Sequence, residues 1–189
     1  NMDVSIECNT NDEVKTLTES IQQMAQNLKA YVKEINGLVY RDGLTGVKNK
    51  TYYYEYIKSL SEEAQKQPYT IVVFKVTGLA GVNKTRGRKC GDELIVTACG
   101  IICRVFSHSL IFRIGGDEFV AFLKGNDYMK CGELLREFED LSSDVTLVGA
   151  PDIAVRIVYG TAQSADGTEP YEEVFCRADE EKEQKKKGM

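Results

Sequence analysis

From Val14 onward, apolar residues recur in steps of three and four: Val14, Leu17, Ile21, Met24, Leu28, Tyr31, Ile35 and Leu38. The positions between them are almost all polar, so the pattern is an a/d seam over more than three heptads. It predicts one helix to about Arg41, opened by Asn11-Asp12-Glu13 as cap and first-turn acids. A helix this polar has no core of its own. It either packs back on its own domain or, as the narrow stripe favours, pairs with a second copy as a parallel coiled coil through residues 12–40. Gly37 and Asp42-Gly43 read as its end, and residues 42–49 as a turn-rich linker. The predicted domains are therefore 1–41, the coiled-coil helix, and 42–189, a globular unit.

In the globular unit the period changes repeatedly. A helix is predicted from about Lys50 to Gln65, with Tyr53, Tyr56, Ile57 and Leu60 on one face. Tyr69 to Val76 is nearly continuous β-branched and aromatic sequence, which predicts a central strand buried on both faces, interrupted by Lys75. Gly78 to Lys89 reads as a glycine-rich basic loop, followed by a helix from about Gly91 to Phe106. Leu110–Phe112 and Val120–Leu123 read as strands joined by a hairpin. A helix from about Tyr128 to Leu141, a strand from Ile153 to Tyr159 and a charged helix from Pro170 complete the chain. The order β-α-β-β-α-β predicts an α+β, ferredoxin-like (palm-like) domain, an antiparallel-leaning sheet with helices on one face. Glu180 to Lys187 is almost wholly charged and reads as a solvated helix end.

Composition narrows the function classes. A net charge of -5 argues against non-specific nucleic-acid binding, which needs a basic surface. The six cysteines form no CxxC pair and His108 is the single histidine, so a zinc site is not expected. Cys99 and Cys103 read as buried small residues on one helix face, and unpaired thiols point to a reducing, cytoplasmic compartment. Neither a bilayer-spanning apolar run nor a signal peptide is present. The expectation is a soluble piece, open to being the cytoplasmic part of something longer.

The candidate chemistry lies in Arg113-Ile114-Gly115-Gly116-Asp117-Glu118-Phe119. Gly-Gly-Asp between two strands is a strong hairpin signal, with positive φ expected at the glycines. Asp117 and Glu118 stand side by side at the turn. Backbone without side chains at Gly115 and Gly116 would let a nucleotide approach, and the carboxylates would offer its metal ions a ligand. A merely decorated hairpin fits the same letters.

With these pieces in order, the chain from about Tyr40 to Lys187 resembles the GGDEF family, diguanylate cyclase domains that condense two GTP into cyclic di-GMP. Asp42-x-Leu44-Thr45-Gly46-x-x-Asn49 is similar to the family's entry motif, Arg113 to Phe119 to its signature, and Ala178-Asp179 to the opening of its last helix. The resemblance implies Asn83 and Asp92 at the guanine edge, Asp117 as a Mg²⁺ ligand, Glu118 orienting or deprotonating the attacking hydroxyl, and Lys186 at the triphosphate. It also implies two facing half-sites, hence a homodimer. Met2–Ile6 and Asn11–Val14 resemble the second half of a HAMP module, although Lys15 stands where its glycine is usual. HAMP modules follow a transmembrane helix, which implies the cytoplasmic domain of a bacterial membrane receptor.

The departures from the family pattern matter as much. The first-strand aspartate, the other metal ligand, is Lys75; the triphosphate lysine is Ala80; the nearby histidine is Arg88; and the apolar-aromatic pair of the last helix is Lys182-Glu183. The product-feedback Arg-x-x-Asp is Phe106-Ser107-His108-Ser109. Mg²⁺ demands oxygen ligands, and carboxylate to ammonium changes the local charge by two units. At ~4 Å and an effective dielectric of ~20, each unit pair is worth on the order of 4 kcal/mol. Lys75 is expected to pair with Asp117 and take the space of a metal ion; snorkelling to solvent is its other use. Three functions remain open: a degenerate signalling module that retains GTP as ligand, an active diguanylate cyclase using Mg²⁺, and a cyclase or hydrolase acting on a single nucleotide.

Overall fold

The computed structural model describes residues 13–62 and 66–188. The chain forms two compact units, residues 1–40 and 41–189. The described part of the first is one helix, α1 (Glu13–Val39), which runs through Gly37 instead of ending there. Five of its seam residues, Leu17, Ile21, Met24, Leu28 and Tyr31, are solvent-exposed. The side chains of Val14, Ile35 and Leu38 and the HAMP-like residues 2–12 lie outside the described residues.

The second unit follows the order α2 (Lys50–Glu62), β1 (Tyr69–Val76), α3 (Leu79–Arg86), α4 (Arg88–Val105), β2 (Leu110–Arg113) and β3 (Glu118–Lys124). Then come α5 (Asn126–Met129), α6 (Cys131–Ser142), β4 (Ile157–Ser164) and α7 (Tyr171–Lys187). The sheet order is β2-β3-β1-β4, antiparallel throughout. This is the ferredoxin-like α+β plan that the alternation of strands and helices predicts. The helices, however, cover both faces of the sheet.

Strand alternation explains why both faces are covered. Val72, Phe74 and Val76 point to one side and pack with Leu94, Ile95 and Ile102 of α4 and Phe138 of α6. Ile71 and Val73 point to the other, with Phe112, Val120 and Phe122, under Tyr53 of α2 and Val174 and Ala178 of α7. A central strand apolar on both faces needs a cover on each, and the aromatic face of α2 and the first turns of α7 supply the second.

Three boundaries differ from expectation. Residues 78–89 are not a loop but α3 and the start of α4, meeting at Gly87. Gly78 (φ +81) and Gly87 (φ +85) have positive φ, which lets them cap the short α3 and join it to α4; read as punctuation, the same glycines suggest a loop. The last strand begins at Ile157, not Ile153, and extends to Ser164, past Gly160 and Ala162, whose low β-propensity concealed its second half. The region after β3 divides into α5 and α6.

Gly160 fixes how α7 lies on the sheet. It sits opposite Val73 on the α7 side, and a Cβ there would collide with the Ala178 carbonyl and the Lys182 amide. The missing side chain lets α7 rest directly on β4. Gly160→Ala is expected to lower unfolding stability by about 2–3 kcal/mol through this backbone collision, read from urea denaturation midpoints.

Candidate nucleotide site

The linker that follows α1 is built onto the edge of the sheet. Lys48 N–H donates to the Ile111 carbonyl at 3.1 Å and Arg113 N–H to the Lys48 carbonyl at 2.8 Å. Asn49 caps α2 by accepting from Tyr52 N–H at 3.0 Å. Asp42 accepts from the backbone and hydroxyl of Thr45, at 2.9 and 2.7 Å, and from Arg113 at 2.8 Å. Burial pushes its carboxyl up, but these donors outweigh burial and hold it below its ordinary value. The same guanidinium donates to the Gly116 carbonyl at 2.7 Å. One arginine thus holds the entry motif and the Gly-Gly turn together.

The turn works differently from its sequence reading. Neither Gly115 nor Gly116 has positive φ. Their glycines serve space: a Cβ on Gly115 would meet the Glu118 side chain at 3.3 Å, and one on Gly116 would meet nothing within 4 Å. The Ile114 amide donates to the Glu118 carbonyl at 3.0 Å and closes the hairpin. The Val76 amide donates to the Asp117 carbonyl at 2.8 Å, which fastens the turn to β1.

Register decides where the acids point. Lys75 and Glu118 are directly opposed in the β1–β3 ladder, on the face covered by α7. Lys75 Nζ donates to Glu118 Oε1 at 3.1 Å and lies 3.6 Å from Asp117 Oδ1. Lys75 does pair with Asp117, as expected, but its nearer partner is Glu118, because Asp117 belongs to the turn and meets it only diagonally. A second ammonium converges on the same carboxylate: Lys182 Nζ lies 3.4 Å from Glu118 Oε1, bonds Asp179 one turn back, and lies 3.6 Å from Glu183. Only 2% of the Lys182 side chain is exposed. The sequence reading recorded Lys182 as a departure from an apolar position and did not place it at the site. A basic residue in an apolar slot of a helix that packs on the signature strand was the signal available.

The other candidates fall in two places. Asn83 of α3 lies against Gly91, where a Cβ would collide with its Oδ1, so Asn83 packs on the α4 backbone one residue before Asp92. Ala80 is exposed in the first turn of α3, just beyond β1. Lys186 is exposed and ion-paired with Glu183 at 3.6 Å. His108 is exposed, and Phe106 is a core residue.

These groups do not fit a pair of Mg²⁺ ions. The carboxylates that would ligate them are already engaged by two ammoniums, which repel a cation and offer no lone pair. Among the described residues, no cluster of three or more His, Cys, Asp or Glu is arranged to hold a metal.

The ion cluster predicts an acid limb of stability. Burial raises the Glu118 pKa, but the hydrogen bond from Lys75 and the charges of Lys182 and Lys75 outweigh it, leaving it below its ordinary 4.5. The stabilisation is fully present above about that value and is lost as pH falls through the lower folded pKa. Lys75 and Lys182 are also desolvated, yet their carboxylate partners raise both above 10.5. Their contribution is complete below that value and lost as pH rises through the folded pKa. The stability gap between the native protein and Glu118→Gln is therefore expected to narrow as pH falls from 7 through and below about 4.5, measured by urea unfolding at each pH.

Comparison with known proteins places these features in a family. The model of "Diguanylate cyclase, GGDEF domain" matches residues 39–189. The probable diguanylate cyclase DgcT of Escherichia coli K12 is 29% identical over 147 residues, covering 75% of this chain and 32% of DgcT. Diguanylate cyclase DgcS of Shewanella oneidensis is 35% identical over 88 residues, covering 45% of this chain and 30% of DgcS. The chain thus spans about a third of the length of these relatives. Among solved structures, the coiled coil and GGDEF domain of Caulobacter crescentus DgcB, in complex with c-di-GMP, shares the fold. Its TM-score is 0.75 at 21% identity, over 94% of this chain and 96% of that one. Pseudomonas aeruginosa SiaD, solved with its activator SiaC, gives 0.70 at 26% identity over 93% of this chain and 68% of that one. From its entry motif through the hairpin to its last helix, the chain belongs to the GGDEF diguanylate cyclase family.

Proposed function

We propose that this chain is a catalytically impaired GGDEF output domain. In this reading it dimerises through α1 and retains GTP as a ligand without efficient turnover. The observation that carries the reading is the double engagement of Glu118 by Lys75 and Lys182, with Lys75 also beside Asp117. The residues that would bind Mg²⁺ and orient the attacking hydroxyl are held by ammoniums of the same chain. Asn83 lies against the α4 backbone next to Asp92, and an amide with a carboxylate would match the donor and acceptor edge of guanine. The start of α3 near the end of β1 offers backbone amides to phosphate, but Ala80 leaves that place without a charged side chain.

The exposed seam of α1 supports a homodimer, since an apolar stripe of this spacing is otherwise left in water. The HAMP-like sequence ahead of α1 supports placement as the cytoplasmic output of a bacterial membrane receptor. No helix of the described residues is long and apolar enough to cross a membrane, so the anchor in this reading lies outside this sequence. An active diguanylate cyclase is the second reading, favoured by the complete Gly-Gly-Asp-Glu-Phe hairpin.

Incubation with GTP and Mg²⁺ or Mn²⁺, followed by chromatography for cyclic di-GMP, separates the two. The expected product is little or none; robust turnover would establish the second reading. Lys75→Asp, Ala80→Lys and Lys182→Leu together are expected to raise turnover at least roughly tenfold, about 1.4 kcal/mol of barrier, and to make GTP binding Mg²⁺-dependent by calorimetry. Lys75→Asp alone should give less, because Lys182 still holds Glu118. For the dimer, Leu17→Asp with Leu28→Asp is expected to convert a sedimenting dimer to monomer with the globular unit still folded.

A further inference from the structure

Cys99 and Cys103 are absorbed by none of the chemistry above. They stand one turn apart on one face of α4, and their sulfurs approach to 3.8 Å. Cys99 is buried and Cys103 half-buried at the helix's last turn. Cys99 does not end in inert core: Thr45 and Asp42 of the entry linker face it. From there a continuous set of contacts runs to the signature, Thr45 to Asp42 at 2.7 Å, Asp42 to Arg113 at 2.8 Å and Arg113 to the Gly116 carbonyl at 2.7 Å.

We propose that Cys99 and Cys103 form a thiol modification site, oxidised by hydroperoxides to a disulfide, and that its state is relayed to the Gly-Gly hairpin through Thr45, Asp42 and Arg113. The contact between the sulfurs carries the chemistry. The two thiols share one S–H···S contact, which holds the Cys103 thiol below its ordinary value against burial, while the same contact followed by burial raises that of Cys99. Exposure assigns the roles: the half-buried Cys103 can be reached by a peroxide and is the nucleophile, and the buried Cys99 is the resolving thiol. The Cys103 thiolate attacks the distal peroxide oxygen, the O–O bond breaks, and the leaving hydroxide or alkoxide takes a proton. Cys99 sulfur then attacks the Cys103 sulfenic sulfur, and its hydroxyl leaves as water with the Cys99 proton. Two thiols lose two electrons in all, and the peroxide gains them.

Geometry links the reaction to the turn. Residues four apart on a helix have Cα atoms ~6 Å apart, inside the disulfide range, but Cβ atoms ~5–6 Å apart, beyond it. Closing the bond must tighten the last turn of α4 and draw Cys99 from the Thr45–Asp42 pair. Arg113 then loses part of its hold on Asp42, and the Gly116 end of the hairpin loosens.

The test uses the full chain. At pH 7, iodoacetamide is expected to alkylate Cys103 roughly tenfold faster than Cys90, which is equally half-buried. Cys99→Ala, or the larger Cys99→Val if the alanine variant fails to fold, should remove that advantage. Equimolar hydrogen peroxide should yield a Cys99–Cys103 disulfide by fragment mass spectrometry, absent in Cys103→Ser. It should also speed amide exchange of residues 42–46 and 113–118 by roughly threefold or more, reversibly with dithiothreitol. Equal reactivity of Cys103 and Cys90, oxidation confined to other cysteines, or a disulfide without altered exchange at residues 113–118 would each overturn the proposal.

Discussion

The arrangement of the site depends on one cross-strand pair, Lys75 opposite Glu118. Antiparallel register sets residues face to face, and a shift by one would turn every apolar residue of β1 toward the wrong layer. Ile71 and Val73 must point to α2 and α7, so Lys75 must as well, and its ammonium meets whatever β3 presents there. What β3 presents is the fourth letter of the signature. The lysine therefore engages the acid that would act on the hydroxyl more closely than the acid that would hold the metal. A charge change on one strand reaches both functions because the turn places the two carboxylates one residue apart.

The second lysine arrives through packing. Gly160 removes the Cβ that would separate β4 from α7, the helix settles onto the sheet, and Lys182 is carried inward until almost no part of it is exposed. A buried ammonium is costly unless paired. Asp179 within the helix and Glu118 across it supply the pairing, and both are held by elements that are themselves well packed. Close approach, burial and ion pairing are consecutive consequences of one glycine. On the far side of the hairpin, Arg113 performs the corresponding task for the linker, joining Asp42 to Gly116.

Much of this was legible in the sequence. Strand and helix order followed from changes of period, and the family from spaced motifs that fell on those elements. Lys75 stood out because it interrupts an otherwise apolar strand. What the sequence hid was tertiary. Nothing in Gly78, Gly81 and Gly87 distinguishes a loop from a short helix joined to a long one at a positive-φ glycine. The signature glycines suggested positive φ, whereas they make room for Glu118 and leave the turn open. Lys182 could be recognised as misplaced, but its destination required knowing that α7 covers the same face to which Lys75 and Glu118 point. Helices on both faces were concealed for a similar reason: the apolar face of α2 was legible, but which face of the sheet it covers depends on partners that lie far off in sequence.

A complete signature in a site that does not fit its metals then has a physical explanation. In a two-metal site, the hairpin acids are balanced by divalent cations supplied from solution. Here the balance is internal: the ammoniums of Lys75 and Lys182 face the carboxylates of Asp117, Glu118 and Asp179. Once Lys182 is buried, losing Glu118 carries a stability cost, because the ammonium then keeps only Asp179 and Glu183 as partners. The acids are thereby held by stability, whether or not they are held by chemistry. Glu118 has a structural use independent of any chemistry, and the hairpin's meaning depends on the charge of the residues that face it.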